Sequence, residues 1–430
     1  MMIKSTRTTT KTNVLHLALI LVIGTILLLS LLPSNVSAQK DCINPNNNNA
    51  ACFAPGQDNQ LPPGQTEDPK TNAPGHQKPG HIRCGSGTGQ DLIIGNIFSN
   101  DISLLTGDGS GCFVNTPPNL VAGTYPISIA TGDFNNDAVP DLAVANQDSN
   151  DISIFLGNGD GTFGTATNFA TSDGPTTIAV GYFNGDTFQD LAVTNQDTSR
   201  LSIFLGNGDG TFGTATFYST GSFPVDVTVG NFNGDTFQDL AVTAVGTNTV
   251  SIFLGTGTGS FIPATTFVTG STPIRVAVGN FNGDAFQDLA VTSLSADSVF
   301  IFLGNGDGTF GTATNFATQA GPVDVAVGDF NGDAVQDLAV TNQNFNSVSI
   351  LIGNGNGTFD TATNYPVGSA PNFLAIGDLN GDTFQDLAVT NVGDNNVSIL
   401  LGNGDGTFDT ATNYPVGGEG PGPIVIGNFN

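Results

Sequence analysis

The sequence predicts an all-β fold, a seven-bladed β-propeller of four-stranded antiparallel blades, preceded by a disordered N-terminal tail. Three observations lead there. The chain of 430 residues is rich in Gly (57) and Phe (31), while Glu occurs only as Glu67 and Glu419, so long helices have little to be built from. An aspartate in the context QDL or PDL returns at Asp91, Asp141, Asp190, Asp239, Asp288, Asp337 and Asp386, at intervals of 50 and then five times 49 residues. A period of this size marks an array of supersecondary units, each stacking its apolar face on the next. Within a unit, four short runs alternate apolar with small or polar residues, the pattern of half-buried strands.

The first 38 residues read as an export signal: a basic MMIKSTRTTTKTN, an apolar run over 14–32, and a small-residue site at Val36-Ser37-Ala38. The apolar run exceeds the ~7 to 15 residues of a signal core and reaches the ~18 of a membrane span. A cleaved signal peptide, with Pro33 breaking the helix before the site, and an uncleaved signal anchor therefore both stay open. Either places the rest of the chain outside the cytoplasm, secreted or at the cell surface. Residues 39–89 are rich in Asn, Gln, Pro and Gly, with too few apolar side chains to order themselves, and read as a tail. The four cysteines of an exported chain suggest two disulfides, with three pairings open. Cys112 stands where other repeats have Thr or Ser, and Cys84 lies just before the first strand, so Cys84 with Cys112 and Cys42 with Cys52 is the expected pairing. A zinc site with His76 and His81 is the alternative, though no CxxC is present.

The repeats occupy residues 91–430. In one of them, VDVTVGNF forms a first strand, DLAVTAV a second, VSIFLG a third, and SFIPATTFVT, after the turn GTGTG, a fourth. Elsewhere that turn is mostly GNGDG, whose Asn-Gly and Asp-Gly pairs supply positive φ in a tight hairpin. A second calcium site there is the competing reading of the same residues. The array begins at a second strand and ends at a first strand, near Val425. The two ends are thus complementary parts of one blade, and the ring is expected to close by pairing them. The competing account is a chain cut in mid-loop, which would match this phase only by accident.

Between the first and second strands lie six loops of nine residues: 133–141, 182–190, 231–239, 280–288, 329–337 and 378–386. Oxygen-bearing side chains recur at positions 3, 5 and 9. These are Asn135, Asp137 and Asp141; Asn184, Asp186 and Asp190; Asn233, Asp235 and Asp239; Asn282, Asp284 and Asp288; Asn331, Asp333 and Asp337; and Asn380, Asp382 and Asp386. A hard divalent cation takes about six to eight oxygens, and side chains at alternate positions of a tight loop point inward, as in an EF-hand. Position 7 is apolar (Val139, Phe188, Phe237, Phe286, Val335, Phe384), so there only the backbone carbonyl would bind. Position 4 is Gly or, once, Asn136, which suits a left-handed backbone. Calcium fits such an irregular carboxylate cage better than magnesium, and up to six ions are expected. An Asx-turn that binds nothing is the bland alternative for one loop, and six at fixed spacing speak against it.

The loop DFNGDxxxDLAV followed by LGNGDGTF resembles the FG-GAP or VCBS-type repeat, and is similar to the calcium-binding blades of the integrin alpha-subunit propeller. The resemblance implies that position 1 also binds calcium, which maps onto Asp133, Asn231, Asn280, Asp329 and Asp378. Tyr182 breaks that pattern, and the two Asn leave their loops with two carboxylates. The loops at Asp133, Asp329 and Asp378 are therefore expected to be the strong sites. Position 6, often Gly in such repeats, is Ala or Thr here, which leaves the turn to position 4. At the junction of the chain ends, Gly87 stands where the fifth-position Asp belongs, so no strong site is expected from Asn428, Asn430 and Asp91.

From Asp91 onward, 32 Asp and one Glu face only Arg200 and Arg275. Such a surface repels phosphate backbones and anionic headgroups, which excludes nucleic acid and direct membrane binding by the propeller as roles. Fifteen of those Asp fall in the six loops, unlike a scattered acidic shell. Beyond residue 90 there is no His or Lys, one Cys and one Glu, a poor inventory for acid–base or nucleophilic catalysis, so no enzyme activity is expected. The expectation is a recognition or adhesion module for an extracellular protein or glycan. With no Trp to stack on sugars, protein is slightly preferred. The alternatives are the non-catalytic part of a secreted hydrolase or lyase, and a structural surface-layer component. Oligomeric state is not legible.

Overall fold

The computed structural model describes residues 89–262 and 265–429. The signal segment, the tail, and Cys42, Cys52 and Cys84 fall outside them, so neither expected disulfide is described as a pair.

The second strand of each repeat organises the packing. Asp190–Asn195 (DLAVTN) and its counterparts are buried along their whole length, because both faces of the strand are covered. Period-two alternation then sorts the side chains by size. Between two adjacent blades, Ala143, Ala145, Ile152 and Ile154 of one meet Leu191, Val193 and Phe204 of the next. In six blades the large residues of the second strand thus face the preceding blade and the small ones the following blade; in Asp91–Asn96, where Ile93 stands in the place of the alanine, a large residue faces the following blade as well. Seven such clusters occur, one at each junction between blades.

The first strands are Pro126–Gly132, Pro175–Gly181, Pro224–Gly230, Pro273–Gly279, Pro322–Gly328, Pro371–Gly377 and Pro421–Gly427. Each opens on proline, which a strand tolerates at its first residue. They pack one against the next in a closed circle and form the innermost layer of a seven-bladed β-propeller. We number the six blades beginning at Pro126–Gly132 to Pro371–Gly377 in chain order, and call the remaining one the seam blade. In the seam blade, Phe113–Asn115, Asp101–Gly107 and Asp91–Asn96 are completed by Pro421–Gly427, with Ile93 opposite Val425. The ring closes as the phase of the repeat predicts.

The fourth strand is shorter than its sequence suggests. Thr167–Ala170 in blade one covers only the second half of the run, and Phe163 joins the sheet by a single bridge to Gly157. Gly164 bends the chain between them, its N–H donating to Leu156 O at 2.8 Å. In blade three the run forms two short strands, Phe261–Ile262 and Thr266–Val268, both on Thr249–Gly255. Among the described residues, helix is confined to one 3-10 turn at Leu294–Ala296, and no helix is long and apolar enough to cross a membrane.

Candidate metal loops and the clamp between blades

Each acidic loop leaves the terminal glycine of a first strand and ends at the aspartate that opens the second. Position 4 turns it: Gly185, Gly234, Gly283, Gly332 and Gly381 have φ of 72 to 80° and Asn136 has 61°, all left-handed. Position 9 anchors it. Asp141, Asp190, Asp239, Asp288, Asp337 and Asp386 are fully buried. In Asp190, Oδ2 accepts the Phe183 N–H at 2.7 Å and Oδ1 the Gly206 N–H at 2.9 Å. The same pair of bonds holds the other five, and Asp91 at the seam in longer form. Burial pushes these carboxyls above the usual range, Asp386 to about 6, where Asp382 and Asp378 add repulsion.

Positions 3 and 5 interlock in all six loops. Asn135 Nδ2 donates to Asp137 Oδ2 at 2.8 Å, and Asp137 Oδ1 accepts the Val139 N–H at 2.8 Å; the other loops repeat both bonds. Position 1 divides the loops into classes. Asp133, Asp329 and Asp378 each accept the N–H of position 6 at 2.9 Å. To present that N–H, Ala138, Ala334 and Thr383 adopt φ of 65, 64 and 75°. The expectation that position 4 alone makes the turn is therefore overturned in these three loops. A left-handed Ala or Thr costs about 1–3 kcal/mol, which the carboxylate's bond helps offset. Asn231 and Asn280 instead accept from Gly234 and Gly283 and donate to the carbonyls of Asp235 and Asp284. Tyr182 is exposed and brings no carboxylate.

The donors are the hard oxygens that calcium prefers, and in the Asp133 loop the charges of Asp137 and Asp133 act on Asp141. In chemistry the set fits a divalent cation. Among the described residues, however, no three His, Cys, Asp or Glu side chains are gathered into a closed cage; the loops are held by their own hydrogen bonds. The GNGDG hairpins behave as turns. Asp160 Oδ1 takes both the N–H and the hydroxyl of Thr162, which lower its pKa.

The same loops join the blades. The glycine of each Gly-rich turn donates its N–H to the position 2 carbonyl of the preceding loop, as Gly210 does to Phe134 at 2.8 Å. All seven junctions have this bond. In five of them the residue before the anchoring aspartate adds another. Gln189, Gln238, Gln287, Gln336 and Gln385 accept the position 1 N–H of the preceding blade's loop, Asp329 to Gln385 at 2.8 Å. Sequence reasoning passed over these glutamines, although the Q of each QDL was in view.

It also passed over Arg275. This side chain stands 3.0 Å from Asp226 Oδ1 and 3.9 Å from Asp324 Oδ1, donates to Thr177 Oγ1 at 2.6 Å, and lies 4.6 Å above the Phe373 ring. Those partners belong to four other blades, which only a side chain at the middle of the ring can reach. Asp226 and Asp324 also accept the N–H groups of Val276 and Leu374 in the next blades. Burial raises both carboxyls against the attraction of Arg275, Asp324 to about 6. The available signal was the register: Asp226, Arg275 and Asp324 occupy one phase of the repeat.

Comparison with known proteins agrees with this geometry. The family described as FG-GAP-like repeat matches residues 133–193, 182–242, 231–291, 280–340 and 335–389. No curated protein matches the chain. Among solved structures, a Bacteroides fragilis protein described as a candidate 6-phosphogluconolactonase is 15% identical, with a TM-score of 0.63 over 80% of this chain and 99% of its own. A Pseudomonas aeruginosa periplasmic gluconolactonase is 14% identical, TM-score 0.62, over 79% and 99%. An Agrocybe aegerita lectin that recognises non-reducing terminal N-acetylglucosamine is 16% identical, TM-score 0.56, over 80% and 97%. At these identities the likeness is one of fold.

Proposed function

Because the chain belongs to the FG-GAP-like repeat family, matched over more than half its length, we propose that it is a calcium-binding, extracytoplasmic recognition and adhesion module for a protein or glycan. One observation carries this reading: six oxygen-rich loops share one end of the blades, and each loop that would hold metal is bonded into the junction between blades through its position 2 carbonyl, five of them also through the position 1 N–H. Calcium would be held by the side chains at positions 3, 5 and 9, by position 1 where it is Asp or Asn, and by the position 7 carbonyl. Bound there, it supplies positive charge that offsets carboxylate repulsion and stiffens the ring. The loops at Asp133, Asp329 and Asp378 are the strong sites and the one at Tyr182 the weakest.

The propeller is proposed to be non-catalytic, since without His or Lys general acid–base chemistry would fall to Asp, Tyr, one Glu and one Cys. The gluconolactonases and the lectin share its fold and are divided between catalysis and binding, so the fold does not choose between them. The test has two arms. Metal content and thermal melts with and without chelator should show bound calcium and a lower melting temperature on its removal, each site saturated at 100-fold its Kd adding about 2.7 kcal/mol. Less than about one equivalent of calcium and an unchanged melt would sink the metal reading. A glycan and surface-protein array beside a hydrolase, lyase and lactonase panel separates binding from catalysis.

A further inference from the structure

At the end of the second strand, five blades bury an asparagine against a serine of the third strand, as Asn146 does with Ser153 at 2.8 Å and Asn195 with Ser202 at 2.7 Å. Blade four substitutes Ser293 for the asparagine and fills the space with Phe300, whose ring would lie 2.3 Å from a Cβ on Gly270. Blade three does neither. Ala244 occupies the asparagine's place, fully buried, and its serine, Ser251, remains. A cavity of about 320 Å³ opens there, between the outer strand of blade two and the sheet of blade three. Its wall carries the hydroxyls of Thr220, Thr247, Thr249, Ser251 and Thr266, with Phe253 also lining it, and among the described residues no charged group does so.

We propose that this cavity is a binding site for a neutral sugar ring. The argument is one of replacement. Ser251 has lost the carboxamide that its counterparts meet, and its Oγ keeps only Thr266 Oγ1 at 3.3 Å. Thr249 Oγ1 is engaged by Thr247 Oγ1 at 2.8 Å. Each hydroxyl offers one donor and two acceptor positions, so most of that capacity is unspent. A neutral group that both donates and accepts restores what Asn supplies elsewhere. An anionic ligand would find no counter-charge in the wall and an acidic protein around it. The volume lies at the lower end of the range for small-molecule pockets, which suits one ring. Phe253, buried in the core between blades two and three, closes the floor of the cavity beneath these hydroxyls.

The site rests on the recognition reading and places a glycan contact at the end of the blades opposite the acidic loops. Saturation-transfer NMR on the full chain, with glucose, galactose, mannose and N-acetylglucosamine as probes, tests it against two variants. Ala244→Asn restores the residue of five sister blades, so it should keep or raise the melting temperature while abolishing the transfer signal. Ser251→Ala should weaken binding at least about threefold. Absence of signal from all four sugars with the unaltered chain, or full binding by a folded Ala244→Asn, overturns the proposal. Glycan-array binding that survives Ala244→Asn removes this site and leaves the recognition reading standing; an NMR blank beside a blank on both the glycan and the surface-protein arrays removes both.

Discussion

Replacing Asp324 by Asn should stabilise the propeller at neutral pH and change nothing near pH 4, although it deletes one partner of an arginine. The Asp324 carboxyl sits in the middle of the ring, and burial lifts its pKa from 3.8 to about 6 even with the attraction of Arg275 included. Below the unfolded value the group is protonated in both states and costs nothing. As pH rises through 4 to 6 the unfolded chain ionises first, so the folded state holds the extra proton and stability falls. Above about 6 the full cost is in place. A gap of about two pKa units at 1.36 kcal/mol each amounts to ~3 kcal/mol. Asn cannot ionise, and its Oδ1 can keep the bond from the Leu374 N–H, now 2.9 Å. Arg275 retains Asp226 at 3.0 Å. The expected gain is about 1–3 kcal/mol at pH 7.5, shrinking to none at pH 4. Urea unfolding of both proteins at four pH values between these limits measures it. The difference between them cancels carboxyls such as Asp386 that titrate in the same window. A variant less stable at pH 7.5, or a difference independent of pH, would refute the reasoning.

Asp190→Ala should cost roughly 2–5 kcal/mol in urea unfolding, in chelator as well as in calcium, because it strands two buried N–H groups in the loop with the poorest metal donors. Asp329→Asn should weaken calcium binding by about tenfold or more at one site in isothermal titration, whereas Tyr182→Asp should tighten the weakest site. Gly257→Ala should destabilise by about 1–3 kcal/mol, since φ is 70° and a Cβ would meet the Phe237 ring at 2.1 Å. Removing that ring with Phe237→Ala should recover only the steric part, which a double-mutant cycle on melting temperature reads directly.

Much of the ring was legible because a propeller repeats its physics. The recurrence of DLAV at fixed spacing exposes a strand buried on both faces, and the complementary phases of the two ends reveal the seam before any contact is seen. The acidic loops were legible for the same reason, since oxygen-bearing residues at positions 3, 5 and 9 leave little freedom in how the chain folds over them. What escaped were interactions that exist only between blades. Gln189 bonds to a residue 56 positions earlier, one repeat of 49 plus the seven positions that separate position 8 of a loop from position 1. No local pattern distinguishes that glutamine from a solvated turn residue. Arg275 was hidden differently: it looks like a lone exposed charge until the closed circle brings Thr177, Asp226, Asp324 and Phe373 around it. The left-handed Ala and Thr at position 6 run against intrinsic preference, and only the reach of the carboxylate at position 1 explains them.

The seam has a consequence in time. Phe429 and Asp91 share a hydrogen bond across 338 residues, while every other blade is built from neighbours in sequence. In equilibrium terms so long a closure is cheap, because each doubling of a loop adds only about 0.6 kcal/mol. Kinetically it is late. Six blades can stack as they leave the ribosome, but the paired edge of Asp91–Asn96 must stay open until the last strand has been made. During that interval the chain exposes an unsatisfied strand edge at its own beginning, and a second nascent copy can offer the missing strand as readily as the first. Completion of the ring is therefore a race between self-closure and exchange, decided by chain concentration and by how soon Pro421–Gly427 follows the strands before it.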